Sequence, residues 1–146
     1  MNNLEIDSMN YLLGQVIRFY HQRTHMQLGK IGLYPGQPPI LFMLWNKDGR
    51  SQKEFAEKLS LKPATITVML RRMEKAGILE RRIDAEDSRI SRVYLTERGR
   101  AIRLQVEEIL KEVEKKCFDG FTDEEKILLR RFLIGMRDNL KKACRD

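Results

Sequence analysis

The strongest constraint on the fold lies in residues 51–99, where two short helices joined by a tight turn run directly into a charged β-hairpin. The first helix is written in "SQKEFAEKL". Ser51 and Glu54 have the S-x-x-E spacing of a capping box, in which each side chain satisfies a backbone N–H that the helix end leaves orphaned. Phe55, Ala56 and Leu59 then share one face, and small Ala56 lets a second helix come close. Leu61 sits in the turn "SLK", where an apolar side chain can plug the angle between two helices. The second helix opens at Pro63, whose ring suits the first helical position, and runs through "PATITVMLRRMEKAG" to a terminating glycine at Gly77.

Within that second helix Ile66, Leu70 and Met73, joined by Met69, recur at helical spacing and should face the core. Thr65, Thr67, Val68, Arg71 and Arg72 are left partly or wholly outward. Hydroxyls bond base edges or phosphates, arginine makes two parallel bonds to guanine, and valine touches a thymine methyl, so this face suits a major groove. Lys62, just ahead of the helix, opposes the macrodipole in the free protein, a penalty that a nearby phosphate would reverse. After Gly77 the period changes to two: "ILERRID" and "RISRVYL" flank the polar "AEDS" and predict a hairpin. Arg81, Arg82, Arg89 and Arg92 belong to it, and an arginine near the tip suits a narrow minor groove. Asp87 would repel DNA by itself, and its place two residues before Arg89 suggests that it holds an arginine in a bidentate pair. Helix, turn, helix and wing in this order predict a winged-helix DNA binder.

These residues resemble the MarR (multiple antibiotic resistance regulator) family of transcription factors. The wing signature of that family is matched by Asp87-Ser88-Arg89 followed by "ISRVYLTERG", which supplies Leu95, Thr96 and Gly99. "LSLKPATITVMLRRMEKAGILERRIDAED" is similar to the family's recognition helix and first wing strand, and "GLYPGQPPILFML" to its loop into the second helix. The resemblance implies an obligate homodimer whose terminal helices form the interface and whose two winged lobes grip a pseudo-palindromic operator. It also implies that Arg89 enters the minor groove with Asp87 as its organiser, and that Thr65, Thr67, Val68 and Arg71 face the major groove. Two positions depart from the family pattern: Val68 replaces a commonly polar or basic residue, and Ala85 replaces the proline usual in the wing turn, which suggests a looser tip. Peroxide-sensing members carry a reactive cysteine in the first helix, and this chain has none there.

The fold class expected is mainly α with a small β-wing. Six helices are expected, those near the two termini (residues 1–34 and 97–146) forming a dimerisation region and residues 35–96 the DNA-binding lobe. The 146-residue chain is 42% hydrophobic, enough for one real core. Its net charge of +7 divides as +1, +4 and +2 over residues 1–49, 50–98 and 99–146, so the excess peaks in the proposed DNA-binding segment. The longest apolar run, "ILFMLW", is too short to span a bilayer and no signal peptide is evident, which predicts a cytoplasmic protein. Cys117 and Cys144 form no C-x-x-C pattern and are expected to be buried or semi-exposed free thiols.

Three apolar stripes at helical spacing suggest a dimer interface: Met9, Leu13, Val16, Ile17 and Tyr20; then Ile102, Val106, Ile109, Val113 and Cys117; then Leu129, Phe132, Leu133, Met136 and Leu140, the last behind a second capping box at Thr122 and Glu125. Another helix should run from Pro38 or Pro39 to Asn46. Phe19, Tyr20, Phe42 and Trp45 offer either core packing or the lining of a small-molecule effector pocket.

An enzyme finds no support, because no motif supplies a nucleophile, an oxyanion hole or a phosphate-cradling loop. The reading is therefore a homodimeric DNA-binding regulator without a cofactor, expected to be a repressor released by a small-molecule effector. Two alternatives stay open at this point. His21 and His25 share a helical face and suit a metal-responsive regulator if a carboxylate joins them. A winged helix used only for protein contacts is the other, and it would bind DNA weakly and without salt dependence.

Overall fold

The computed structural model describes residues 8–145, and the chain forms two compact units that divide between Val113 and Glu114. The first holds α1 (Met9–Gly29), α2 (Pro38–Asn46), β1 (Arg50–Ser51), α3 (Gln52–Leu59), α4 (Pro63–Lys75), β2 (Leu79–Ile83), β3 (Ser91–Leu95), α5 (Glu97–Ala101) and most of α6 (Arg103–Cys117). The second holds the end of α6 and α7 (Asp123–Ala143).

Local chemistry sets the helix ends. Ser51 Oγ accepts from the Glu54 N–H at 3.3 Å while Glu54 Oε2 accepts from the Ser51 N–H at 2.8 Å, so the capping box of α3 is reciprocal. Thr122 and Glu125 repeat it at the start of α7, at 3.2 and 2.8 Å. After α4, Gly77 takes a φ of +73°, a left-handed turn that favours glycine and aims the chain into β2. Seven helices occur among the described residues, where the sequence predicts six. The added one is α5, a short helix capped by the Thr96 hydroxyl, which accepts from the Gly99 N–H at 3.1 Å, and separated from α6 at Ile102.

The sheet has the order β1-β3-β2 with antiparallel pairing throughout, and its register sets Leu79 opposite Leu95, Arg81 opposite Val93 and Ile83 opposite Ser91. A two-residue β1, too short for any periodicity, pairs Arg50 with Val93 and Ser51 with Arg92. Leu79, Val93 and Leu95 turn inward and join Phe55, Ile66, Leu70 and Met73. Leu41 and Leu44 of α2, Leu28 of α1 and Val106 of α6 complete this core. Each such side chain contributes about 1.5–3 kcal/mol of burial free energy. The hairpin thus stands on the same core that holds α4.

Three expectations are corrected. Leu61 does not plug the helix-turn-helix angle: it is 38% exposed, because Ser60 adopts a left-handed φ of 54° that turns the chain outward. The stripe from Ile102 to Cys117 is not free along its length for a partner, since Ile102 and Val106 lie in the core, Ile109 packs against it and Val113 is buried. Cys117 and Cys144 are free as expected but exposed rather than buried or semi-exposed. The other two stripes do remain open: Val16, Ile17 and Tyr20 on α1, and Phe132, Leu133 and Leu140 on α7, are each at least two-fifths exposed. Among the described residues no helix is long and apolar enough to cross a membrane.

Candidate nucleic-acid interface

The 3.6-residue period of α4 buries Ile66, Leu70 and Met73 completely and turns Thr65, Val68, Arg71 and Arg72 to the surface. Thr67, at the edge of that face, is half-buried; its hydroxyl donates to the Pro63 carbonyl and accepts from Gln52 Nε2. Arg71 makes no hydrogen bond or ion pair among the described residues, so its five N–H donors are available to a ligand. Arg72 lies with its guanidinium carbon 5.7 Å from the centre of the Tyr34 ring. Lys62 occupies the N-cap of α4 without a side-chain cap, and Pro63 follows it. The first backbone N–H groups of this helix are therefore left for solvent or an anion.

The wing is organised by two carboxylates. Asp87 accepts from Arg89 through both oxygens, Nε to Oδ1 and an NH2 group to Oδ2, each at 3.0 Å, and Oδ1 also accepts the Arg89 backbone N–H at 3.0 Å. The Arg89 side chain is nonetheless 88% exposed, so it is held at the surface rather than withdrawn into it. These charge-assisted bonds keep the Asp87 carboxyl below the usual carboxylate range and push Arg89 up. Asp84 does more structural work. One oxygen accepts the N–H groups of Glu86 and Asp87, the other pairs with Arg92 Nε, and Arg92 also donates to the Gly49 carbonyl at 3.1 Å. Its carboxyl is held low by Arg92 first and by the two backbone N–H groups second. Arg92 is thus already engaged in bracing the hairpin against the turn after α2. The tip that lacks the usual proline is closed by these bonds to Asp84, together with the Ile90 N–H bond to the Asp87 carbonyl at 3.0 Å.

The other wing arginines are engaged as well. Arg81 donates to Gln52 Oε1, and Arg82 pairs with Glu80 and lies 4.5 Å over the Tyr94 ring. An exposed arginine on α4 and a braced, exposed arginine on the wing are two distinct cationic groups.

Residues 33–91 match the model of the MarR family. Over 132 residues, 90% of this chain and 78% of the relative, the sequence is 30% identical to the HTH-type transcriptional repressor IacR of Pseudomonas putida. The chain belongs to the MarR family.

That family comprises transcriptional regulators rather than enzymes. The HTH-type transcriptional regulator TtmR of Methylorubrum extorquens is 34% identical over 107 residues, which are 73% of this chain but only 53% of TtmR. The Staphylococcus aureus MepR–DNA complex superposes with a TM-score of 0.82 at 23% identity, over 90% of this chain and 98% of that one, and so shares the fold.

In this MarR family protein the four aromatics expected to line a pocket play different parts. Phe42 meets Trp45 edge-on at 5.3 Å, and the Trp45 indole N–H donates to the Gly99 carbonyl at 3.0 Å, which fastens α2 to α5. Phe19, 55% exposed, carries Arg18 over its ring, and Tyr20 is 43% exposed. A cavity of about 500 Å3 lies instead in the second unit, lined by Phe118, Ile127, Leu129, Arg130, Leu133 and Ile134 among others, and none of the four borders it. His25 stacks at a tilt against Tyr34 with ring centres 5.8 Å apart. Among the described residues no three metal-ligating side chains converge. Sequence reasoning missed Asp84, Gln52 and Tyr34. The D-x-x-D spacing of Asp84 and Asp87 was the available signal for the first.

Proposed function

We propose that the chain is a homodimeric repressor that reads a pseudo-palindromic operator with α4 in the major groove and the wing in the flanking minor groove. The observation that carries this reading is the pairing of an unengaged Arg71 on α4 with an Arg89 that Asp87 holds outward. Arg71 has the donors for guanine O6 and N7, and Thr65 and Val68 flank it for hydroxyl and methyl contacts. A fixed arginine at the wing tip senses groove width and potential more than individual bases. The uncapped N-terminus of α4 and Lys62 suit a phosphate, and Arg72 lies at the margin of the same face. Arg92 supports this surface from behind.

The exposed apolar faces of α1 and α7 support dimerisation, and the likeness to IacR, itself named a repressor, supports repression. A small molecule that alters the separation of the two lobes would release the operator. Exposed Phe42 beside half-buried Trp45 offers an aromatic surface for it.

Selection of bound sequences from random DNA tests the reading. A palindrome whose half-sites lie about 34–36 Å apart is expected, with a log–log salt slope of roughly −5 to −9 for about six to ten neutralised phosphates. A flat salt titration, or enrichment of no symmetric sequence, refutes it.

A further inference from the structure

Among the residues that sequence spacing assigns to the DNA-facing side of α4, Thr67 is the one whose side chain is already hydrogen-bonded to the described residues. Its Oγ1 donates to the Pro63 carbonyl at 3.0 Å, one helical turn back, and accepts from Gln52 Nε2 at 3.1 Å. A hydroxyl has one proton and two lone pairs. With the proton committed and one lone pair filled, Thr67 keeps no donor for a base edge.

The chain of bonds continues beyond it. Gln52, the first residue of α3, accepts at Oε1 from an Arg81 NH group at 3.1 Å. Arg81 belongs to β2, and its Nε also lies 2.9 Å from Glu74 Oε2 near the far end of α4, an ion pair whose N–H is not aimed at the oxygen. Proton donation therefore runs in one consistent direction, Arg81 to Gln52 to Thr67 to Pro63, through three elements. Glu74 adds a second tie between β2 and α4. The Arg81 side chain is 23% exposed and Gln52 and Thr67 are half-buried, so these bonds are partly shielded from competing water.

The position of this network matters because α4 and the wing must enter different grooves of one duplex. Each can engage only if the other is held at the right distance and angle, and an error of about 1 Å is costly for such a constellation. We infer that Gln52, Thr67 and Arg81 are positioning residues that lock α4 and the wing into one reading head, and that Thr67 serves DNA binding through this lock rather than by touching a base. The inference rests on the DNA-reading proposal above.

The test uses the full-length protein and the palindromic duplex recovered by selection, with a scrambled duplex as control, each variant first shown to be folded by circular dichroism. Gln52→Leu and Thr67→Val each remove two hydrogen bonds of the network and should each weaken palindrome binding about three- to tenfold. The double variant should be no weaker than the worse single, and Thr67→Ser should restore binding. The base preferred at every position should be unchanged. The decisive measurement is the effect of Arg89→Ala, because a loosened wing gains less from its arginine: the factor lost should shrink at least threefold in the Gln52→Leu background.

An unchanged Arg89→Ala factor overturns the inference, since a network that merely stabilises the fold leaves that factor alone. A Thr67→Val protein that prefers a different base at one position overturns it also, by showing that Thr67 reads DNA directly. If Gln52→Leu does not fold, Thr67→Val takes its place in the Arg89 cycle. Wild-type protein that binds palindrome and scrambled duplex alike defeats the DNA-reading proposal; the lock is then judged by urea unfolding, where additive Gln52→Leu and Thr67→Val losses overturn it.

Discussion

Replacing Gly99 by alanine tests whether the root of the wing is as tightly built as it looks. A Cβ at this position would lie 2.1 Å from the Ile78 carbonyl oxygen and 3.0 Å from Leu95 Cδ2, where ordinary contacts begin near 3.4 Å. The obstacle is backbone, so no side-chain rotation relieves it, and α5 must move by more than about 1 Å relative to β2. The Ile78 carbonyl is also the acceptor for the Thr96 N–H at 3.1 Å, while the Thr96 hydroxyl donates its one proton to the neighbouring Gly77 carbonyl at 2.6 Å. Overpacking of this kind costs about 1–3 kcal/mol, and the Thr96 N–H bond to Ile78 is worth about 1 kcal/mol net. Gly99→Ala should therefore destabilise the protein by about 2–4 kcal/mol and lower Tm by roughly 10 °C. Gly14→Ala is the matched control: nothing lies within 4 Å of its added Cβ, and alanine in that helix interior should be neutral or stabilising by up to about 1 kcal/mol. Urea unfolding of both variants measures the difference. A Gly99→Ala protein within about 1 kcal/mol of wild type would refute the packing argument.

Acid titration of the wing has a defined sign. The Asp84 and Asp87 carboxyls titrate lower in the folded hairpin than in the unfolded chain, so their stabilisation is complete above about pH 4 and falls away as pH drops through their folded values. Asp84→Asn should consequently lose less of its urea midpoint between pH 7 and pH 3 than wild type does, and equal losses would contradict the assignment. Arg71→Ala should relax base preference at one position in each half-site and cost about 1–3 kcal/mol per lost bidentate contact, read by equilibrium binding at fixed salt. Arg89→Ala should instead act mainly at flanking A·T steps; Asp87→Ala should partly mimic it, and the double variant should lose less than the two singles together. Tighter binding by Asp87→Ala would mean that its charge only repels DNA. Thr122→Ala should cost about 0.5–2 kcal/mol in the stability of α7, as expected for a lost N-cap, measured by amide exchange.

The sequence was most legible where a local rule and the global fold agree. The capping boxes at Ser51 and Thr122, the buried face of α4 and the change to period two after Gly77 are all short-range signals, and the structure uses each of them. The D-x-R spacing likewise brings Asp87 and Arg89 into bidentate contact, because two residues is the span over which that side chain can fold back. What escaped depends on distance along the chain. Arg92 looks like a free wing cation until its partners, Asp84 eight residues away and Gly49 forty-three away, are known. Thr67 has the same character: nothing in its own helix discloses that Gln52 fills one of its lone pairs. The α6 stripe reads as an interface by periodicity alone, and only the tertiary fold decides that the chain itself covers it.

Trp45 is the chain's single tryptophan, and its position makes the α2–α5 junction optically addressable. Its indole N–H is tied to Gly99, Phe42 abuts its edge, and the Arg103 guanidinium carbon lies 5.7 Å from its ring centre. Emission excited near 295 nm therefore comes from one site, without a dye and without background fluorescence from DNA. Separation of α2 from α5 would hydrate the indole and move the emission to longer wavelength. The same cuvette could then distinguish a ligand that opens this junction from one that displaces DNA while leaving it closed.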